Sequence, residues 1–320
     1  MSPDLISPLA GDIVAFLKFK RALGHGYERG EFTLRALDRF VAPRCRRRDS
    51  RRLPEILRAW LSRKADRAPI TLAAEHVVVR QFCLFRRRYD PDAFVPPRAW
   101  APASTKSGFL PCVLSEDDVL RVLRGAASLR RPAFRATLYR TLVLVLYCTG
   151  IRFGEGLRLR VRDVDVDGRV LFISKSKGRA RWVPFHRSLV PELKRYLRAR
   201  EAYAPARPDD RFFVGQDRKR LCPNTAGGTV RHLLCEAGLK PLKGREGARP
   251  YDFRHAFAVQ RLERWYRAGA DLHAQLPWLS AYMGHDNILG TEKYLHATPW
   301  LLETAARRLR RRLRSPRSHG

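Results

Sequence analysis

A proline-rich segment divides this chain into two parts. Residues 90 to 111, DPDAFVPPRAWAPASTKSGFLP, contain five prolines and few regularly spaced apolar residues. Proline fixes its own backbone angle, has no amide hydrogen and disfavours helix in the residue before it, so this segment is expected to be extended and semi-rigid. We therefore predict a linker between two domains, which is the number that a length of 320 residues suggests.

The part before the linker, residues 1 to 89, has the apolar spacing of helices. Two further helical segments, LPEILRAWLSRK and LAAEHVVVRQFCLFRRRY, follow a basic loop at residues 43 to 52. The apolar residues that recur every three or four positions near the beginning of the chain are Ile13, Phe16, Leu17, Leu34, Leu37, Phe40 and Val41. The sequence predicts a small helical domain with basic loops and helix ends.

The part after the linker, residues 112 to 305, is predicted to combine helices with a small β-hairpin. Ser115 and Asp118 have the spacing of a helix capping box, and a mostly helical region runs to about residue 160. In DGRVLFISKSKGRARWVPF, two β-rich runs flank a basic turn, which is typical of a hairpin. Helices resume at SLVPELKRYLRAR, and residues 306 to 320 form a basic tail. The predicted fold class is mainly α with a small hairpin or sheet, so the second domain is α+β.

The net charge indicates the kind of partner. The chain has 64 Lys and Arg against 31 Asp and Glu, a formal charge of +33. Such an excess destabilises a compact fold by self-repulsion unless a polyanion is near, and nucleic acid is the obvious polyanion. Binding is then expected to weaken steeply with salt. The content of hydrophobic residues, 45%, favours a folded protein over a disordered polycation.

Cysteine spacing and hydropathy indicate the compartment. The six cysteines are scattered without a CxxC pair, which favours reduced thiols over a zinc site or disulfides. The longest uncharged apolar run, residues 141 to 151, is too short to span a bilayer, and the amino terminus lacks the pattern of an export signal. We expect a soluble cytoplasmic protein of a prokaryote that is not associated with a membrane.

Four separated segments each contain a side chain suited to phosphate chemistry. In CTGIRFGEGLRL a helix is predicted to end at Gly150, and Arg152 follows in the turn, where Glu155 can orient it. In the hairpin ISKSKGRARWVPF, either Lys175 or Lys177 can reach a phosphate. Each has an ordinary alternative: a surface Arg–Glu pair in the first segment, and the basic turn of any cationic protein in the second.

The other two segments lie closer to the carboxyl end. RPYDFRHAFAVQRL has Arg254 and His255 at a predicted helix start, where free backbone N–H groups favour a phosphate. In MGHDNILGTEKYLH, His285 follows Gly284 and is predicted to begin a helix on which Tyr294 lies about two and a half turns later. The alternative for both is structural: solvated basic side chains, and a tyrosine that packs on the core.

These residue types together fit attack on a phosphodiester. Negative charge develops on two non-bridging oxygens, and two arginines can bind them with charge-assisted hydrogen bonds. A tyrosine can act as nucleophile when cations favour its phenolate. A lysine can protonate the departing 5′ oxygen, and a histidine can act as base or as donor to the phosphate. Because guanidinium groups supply the positive charge, we expect no metal or other cofactor.

Three of these segments, TGIRFGEGLRL, YDFRHAFA and LSAYMGHDNILGTEKYLH, resemble in this order the signature boxes of the tyrosine recombinase (phage integrase) family, in its mobile-element-associated branch. The resemblance covers roughly residues 110 to 300. The last box is the most specific, because its tyrosine follows a Gly-His pair by nine residues in a T-x-x-Y context. The helical first domain resembles the core-binding domain of the family, and the second its catalytic domain.

The resemblance implies a role for each residue. Arg152 and Arg254 bind the phosphate, Tyr294 forms a 3′-phosphotyrosyl link, and His285 is the histidine of the last box. The hairpin lysine is the general acid, for which we favour Lys175 over its neighbour two positions on. Family members act on double-stranded DNA, exchange strands in pairs through a Holliday junction, and use neither ATP nor a metal. The resemblance therefore also implies a tetramer on DNA, formed with itself or with related recombinases.

One position departs from the family pattern. The family usually has histidine three residues before the second arginine, and this chain has Tyr251 there. Tyrosine can donate a hydrogen bond to a phosphate oxygen, but it is a poor base near neutral pH. We interpret Tyr251 as a tolerated catalytic-site variant.

The sequence thus predicts a site-specific recombinase that integrates, excises or transposes a mobile element. Two alternatives remain open. The first is a DNA-binding accessory member of a recombinase complex that has little or no cleavage activity, which the presence of Tyr251 favours. The second is a type IB topoisomerase-like enzyme. A metal-dependent transposase is disfavoured, because the sequence has no evident cluster of carboxylates.

Overall fold

The computed structural model describes residues 5–45, 52–63, 67–102, 112–129, 133–174, 180–244 and 246–296. The chain divides into two compact units, Met1–Phe109 and Leu110–Gly320. Among the described residues, no helix is long and apolar enough to cross a membrane. The domain limits given above from the sequence stay predictions.

The first unit is a small helical domain. Its core contains Phe16, Leu34, Leu37, Trp60 and Phe82, so both early segments with helical spacing contribute buried residues as predicted. Its described α-helices are α1 (Ala10–Ala22), α2 (Glu28–Val41), α3 (Leu53–Ser62) and α4 (Pro69–Arg86).

The beginning of the predicted linker lies against this first unit. Nε2 of His76, on α4, donates to the carbonyl oxygen of Pro97 at 2.9 Å, and Arg80 donates to the carbonyl oxygen of Pro96 at 3.0 Å. The ring of Phe94 packs against that of Trp100, with 5.6 Å between their centroids. Proline carbonyls remain good acceptors although the residue lacks a donor, and α4 supplies the donors here.

The second unit is mostly helical with a small sheet, which confirms the predicted fold class. A capping box begins its first helix, since the Asp118 N–H donates to Oγ of Ser115 and the Ser115 N–H donates back to the carboxylate, as predicted. Its described helices are α5 (Glu116–Ala127), α6 (Phe134–Thr149), α7 (Phe153–Gly156), α8 (Val190–Tyr203), α9 (Pro223–Glu236), α10 (Asp252–Arg267), α11 (Leu272–Met283) and α12 (Leu289–His296).

Within the described residues the sheet has three antiparallel strands, β1, Val164–Asp165, β2, Val170–Ile173, and β3, Arg181–Pro184, in the order β1-β2-β3. The pairing of β2 with β3 confirms the predicted hairpin, whereas β1, with two residues, is too short to give a β pattern in the sequence. In the hairpin Ile173 lies opposite Arg181. Leu171 and Val183 face the core. This register places Arg181 at the end of β3 nearest the turn.

Helix α6 lies at the centre of the second unit and packs against α5, α8 and α10. Its residues Leu142, Val143 and Val145 are fully buried. The helix ends, as predicted, at Gly150, which has the left-handed angles φ 61° and ψ 15°. A Cβ at this position would lie 2.4 Å from the ring of Phe257 on α10, so a glycine here also allows the close approach of the two helices.

Candidate active site

The ends of two helices define the candidate site. Both α6 and α11 end at a glycine in the left-handed conformation, Gly150 and Gly284 respectively. The last carbonyl groups of a helix have no partner within it and carry partial negative charge. In this unit arginine side chains donate to these carbonyl groups, and they bring the two helix ends together.

Arg254, in the first turn of α10, joins the two helix ends directly. One terminal nitrogen of its guanidinium donates to the carbonyl oxygen of Gly150 at 2.7 Å, and the other donates to that of Met283 at 2.8 Å. The side chain is almost completely buried, and this burial lowers the pKa of Arg254, although a guanidinium stays protonated in proteins. The predicted placement of Arg254 at a helix start is confirmed.

Arg152 lies directly before α7, between the same two helix ends. Its Nη2 donates to the carbonyl oxygen of Gly284 at 2.6 Å, and its Nη1 donates to Oε1 of Glu155 at 2.8 Å. The predicted contact between Arg152 and Glu155 is therefore present, and it is not a surface pair, since the Glu155 side chain has no exposed area.

Arg181, on β3, is a third arginine of the site that the sequence did not reveal. Its guanidinium contacts Glu155 through two nitrogens, at 3.2 and 2.9 Å, and its Nε donates to the carbonyl oxygen of Tyr282 at 2.8 Å. In the sequence it is one of several basic residues of the hairpin, and nothing in their spacing distinguishes it. Only the packing of β3 against the end of α11 does so.

The Glu155 carboxylate is ionised although it is buried. Burial raises its pKa, but hydrogen bonds from Arg181 and from the Arg152 backbone, together with the charges of both guanidinium groups, outweigh this and lower the pKa to about 2. Three guanidinium groups thus lie at these helix ends: those of Arg152 and Arg181 contact the one carboxylate, and that of Arg254 interacts with it electrostatically. Such an excess of positive charge favours an anion.

His285 lies in a different place from the one predicted. The expectation that it begins a helix is wrong: it lies in the turn after α11, and α12 begins at Leu289. The reason is the left-handed Gly284, after which the His285 N–H donates back to the carbonyl oxygen of Ser280 at 3.0 Å and so completes the cap of α11.

The hydrogen bonds of the His285 ring determine its tautomer. Arg254 can only donate, so Nε2 of His285, 2.9 Å from its Nη2, is the acceptor. The proton is then on Nδ1, which donates to Oγ1 of Thr291 at 2.7 Å. Thr291 is fully buried on α12. The imidazole is therefore neutral in this arrangement and links Arg254 to the helix that carries Tyr294.

Tyr294 is fully buried on α12, beside these groups. Its ring lies edge-on to that of His255 at 5.2 Å between centroids and roughly parallel to that of His285 at 6.3 Å. Burial is the main cause that raises the pKa of Tyr294 to about 12, and Tyr251 adds to the rise, while a hydrogen bond and charge from Arg254 oppose it.

Tyr251 belongs to the same cluster. It precedes α10, and its ring lies edge-on to that of His255 at 4.8 Å between centroids. The structure therefore brings together five of the predicted site residues, Arg152, Tyr251, Arg254, His285 and Tyr294. The sixth, Lys175, and its alternative Lys177 lie outside the described residues.

The sequence of this chain matches the phage integrase family over residues 113–299. It is 34% identical over 264 residues to y4rB of Sinorhizobium fredii, covering 81% of this chain and 84% of that protein, whose integrase/recombinase function is itself inferred. It is 32% identical over 272 residues to the tyrosine recombinase XerC of Mycobacterium sp. (strain JLS), covering 83% of this chain and 85% of that protein.

Solved structures with a similar fold include the Tn1549 transposon integrase in complex with transposon right end DNA. It has a TM-score of 0.67 and 16% identity and covers 93% of this chain and 98% of that one. Another is the XerH site-specific recombinase in a post-cleavage complex with its difH substrate, with a TM-score of 0.66, 18% identity and coverage of 88% and 79%. At these identities the similarity concerns the fold.

The packing at Gly284 leads to a stability prediction. A Cβ there would lie 2.6 to 2.9 Å from the guanidinium of Arg181, and φ is +67°. Gly284→Ala must therefore displace Arg181 from Glu155 as well as strain the backbone. The matched control is Gly269→Ala, where φ is +79° but nothing lies within 4 Å.

Both substitutions are expected to lose about 1–2 kcal/mol from backbone strain, and Gly284→Ala a further ~1.5–3 kcal/mol from the contacts of Arg181. Thermal unfolding followed by calorimetry measures the difference, at roughly 2–4 °C per kcal/mol. Equal midpoints for the two variants would contradict the described packing of Arg181.

Proposed function

This chain belongs to the phage integrase family, whose members are DNA strand-transferring enzymes, and from that premise we propose that it is a site-specific DNA recombinase. In this proposal it cuts and rejoins double-stranded DNA through a 3′-phosphotyrosyl link, for the integration, excision or transposition of a mobile element in a prokaryotic cytoplasm. The observation that carries the proposal is the convergence of Arg152, Arg254, His285 and Tyr294 at the two helix ends.

In the proposed mechanism Arg152 and Arg254 bind the non-bridging oxygens of the scissile phosphate. The contacts of Arg152 with Glu155 and Gly284 use two of its five side-chain N–H groups and leave others for an anion. Its side chain is 21% exposed, so a ligand can reach it. The negative charge that develops in the transition state then lies next to fixed guanidinium groups, which is the arrangement that stabilises it.

Tyr294 is the proposed nucleophile. Its hydroxyl oxygen attacks phosphorus, the bond to the 5′ oxygen breaks, and the phenol proton leaves to a base. With its pKa raised to about 12, the buried hydroxyl is protonated in the free protein. Because Tyr294 is also fully buried, DNA binding has to bring the phosphate and this hydroxyl together. When Nη2 of Arg254 exchanges its contact with Nε2 of His285 for one with a phosphate oxygen, and keeps its contact with Met283, Nε2 can accept the phenol proton as a base.

Two further residues have proposed roles beside this centre. Tyr251 donates a hydrogen bond to a phosphate oxygen in place of the histidine of related proteins, and its position beside His255 and its electrostatic interaction with Tyr294 support this. Lys175, which follows β2 in the sequence, protonates the 5′ oxygen as it leaves. The partner is double-stranded DNA, which the charge of +33 supports, within a tetramer of this chain or of related recombinases.

The proposal predicts a covalent protein–DNA adduct. The protein is incubated, with EDTA present, with nicked suicide duplexes that cover the ends of its own element, and denaturing gels detect the product. Wild type is expected to form the adduct and Tyr294→Phe to form none, while both bind the duplex equally.

An adduct that persists in Tyr294→Phe would contradict the assignment of the nucleophile. Absence of any adduct despite tight, salt-sensitive binding would favour the accessory DNA-binding protein. Relaxation of a supercoiled plasmid that lacks the element ends would favour the type IB topoisomerase.

A second prediction concerns Tyr251. If its hydroxyl donates to the phosphate, Tyr251→Phe lowers the rate of adduct formation about 10²-fold, which is the effect of removing one such donor. Tyr251→His, which restores a donor and adds a base, retains or exceeds the wild-type rate. The rates of adduct formation are measured in single-turnover reactions on the same duplex. A Tyr251→Phe variant that is as fast as wild type would contradict the proposed role of the hydroxyl.

A third prediction distinguishes the two hairpin lysines. Lys175→Ala is expected to slow cleavage about 10²- to 10⁴-fold, the contribution of a general acid. A duplex with sulfur at the bridging 5′ position should restore the rate, because a thiolate leaves without protonation. Lys177→Ala is the matched control and should cleave both duplexes at the wild-type rate. If Lys177→Ala is the slow variant and the sulfur-containing duplex restores its rate, Lys177 and not Lys175 is the general acid.

A further inference from the structure

We propose that Arg181 is a positioning residue for strand transfer: it holds the Glu155 carboxylate, which in turn orients the phosphate-binding Arg152. This inference rests on the proposed function, in which Arg152 contacts the scissile phosphate. The proposal does not include a contact between Arg181 and the DNA.

The first support is the number of contacts that Arg181 makes from a largely buried position. Its side chain is 10% exposed. Nη2 donates to Oε2 of Glu155 at 2.9 Å and Nη1 to Oε1 at 3.2 Å, so the pair is bidentate. Nε donates to the carbonyl oxygen of Tyr282 at 2.8 Å. A planar guanidinium with three such contacts is held in one orientation, which a lysine ammonium could not reproduce.

The second support is that Glu155 shares its oxygens between the two arginines. Oε1 accepts from Nη1 of Arg152 and from Nη1 of Arg181, and Oε2 accepts from the Arg152 backbone N–H at 2.9 Å and from Nη2 of Arg181. Because the Glu155 side chain has no exposed area, water does not replace a lost partner easily. Loss of Arg181 therefore removes two of the hydrogen bonds that this buried carboxylate accepts.

The third support is that Arg181 also packs against the residue that provides the other anchor of Arg152. That anchor is the carbonyl oxygen of Gly284, and the guanidinium of Arg181 packs where a Cβ of Gly284 would be. Arg181 thus lies against both residues, Glu155 and Gly284, that hold the Arg152 guanidinium. It connects them to β3, the second strand of the hairpin.

The charges around Glu155 predict a pH signature for this role. Arg152 and Arg181 contact it, Arg254 of α10 interacts with it electrostatically, and Arg158 and Asp163 line the small cavity beside it. Burial favours the neutral carboxyl, and the hydrogen bond from Arg181 is the largest influence that opposes burial. Without Arg181 the pKa of Glu155 must rise, and a protonated Glu155 loses its charge attraction for Arg152.

The test compares rates of adduct formation relative to wild type from pH 5 to pH 8. Arg181→Gln is expected to be at least about 10-fold slower than wild type at pH 8, and its rate relative to wild type should fall further towards pH 5. Arg181→Lys, which keeps the charge, should lose the extra acid sensitivity while staying slower than wild type. The double variant Arg181→Gln with Glu155→Gln should be slow but without the extra acid sensitivity.

The control is Arg140→Gln, because Arg140 makes a similar bidentate pair, at 3.2 and 2.9 Å, with Glu192 on α8. It should match wild type at every pH. A constant ratio of the Arg181→Gln rate to the wild-type rate across the pH range, together with a thermal midpoint difference that is also constant from pH 7 to pH 3, would show that Arg181 only stabilises the fold, and that result would overturn the proposal.

Thermal unfolding provides a readout that does not depend on activity. The folded-state pKa of Glu155, about 2, lies below its ordinary value of 4.5, so its ionised form stabilises the fold above pH 4.5 and this contribution is lost as pH falls towards 2. The midpoint difference between wild type and Arg181→Gln should therefore be larger at pH 7 than at pH 3. Failure of wild type to form an adduct rejects the proposed function. A midpoint difference that does not change with pH rejects the role of Arg181 at Glu155.

Discussion

The guanidinium of Arg254, buried between the ends of α6 and α11, is the interaction on which the rest of the site depends. Burial of a charge is unfavourable unless polar groups compensate for it. Here the compensation comes from the carbonyl oxygens of Gly150 and Met283, at helix ends where the partial charge is negative. Because both helices must end at the correct distance from Arg254, their left-handed glycines are part of the site as much as the arginine is.

The other features follow from this contact. Since Arg254 donates to Nε2 of His285, the imidazole is neutral and its Nδ1 proton goes to Thr291 on α12, the helix of Tyr294. The charge of the same guanidinium opposes the rise in the pKa of the tyrosine. One cation therefore connects two helix ends, the histidine and the proposed nucleophile, and an anionic ligand that attracts Arg254 acts on all of them.

The sequence predicted the local features that depend on short spacing. These include the end of α6 at Gly150, the capping box at Ser115, the β2–β3 hairpin and the contact between Arg152 and Glu155. Each is encoded by residues close together in the chain, so propensity and hydrogen-bond chemistry suffice to find it.

The features that the sequence did not predict depend on tertiary packing. Arg181 is one of 64 basic residues, and its importance follows from the register of β3 and the packing of that strand on α11. The predicted helix start at His285 is wrong, because the glycine before this histidine ends the preceding helix in the left-handed conformation. The sequence leaves open whether Tyr294 packs on the core, since the spacing along a helix does not tell which face the neighbouring helices cover; the structure shows it fully buried.

The most direct test of the account is to identify the atom that becomes linked to DNA. The protein–DNA product is digested with nuclease and trypsin, and mass spectrometry locates the remaining nucleotide. The account predicts that the nucleotide is on the tryptic peptide 294–307, attached to Tyr294. A nucleotide on peptide 246–254, which contains Tyr251, or on any other peptide would contradict it.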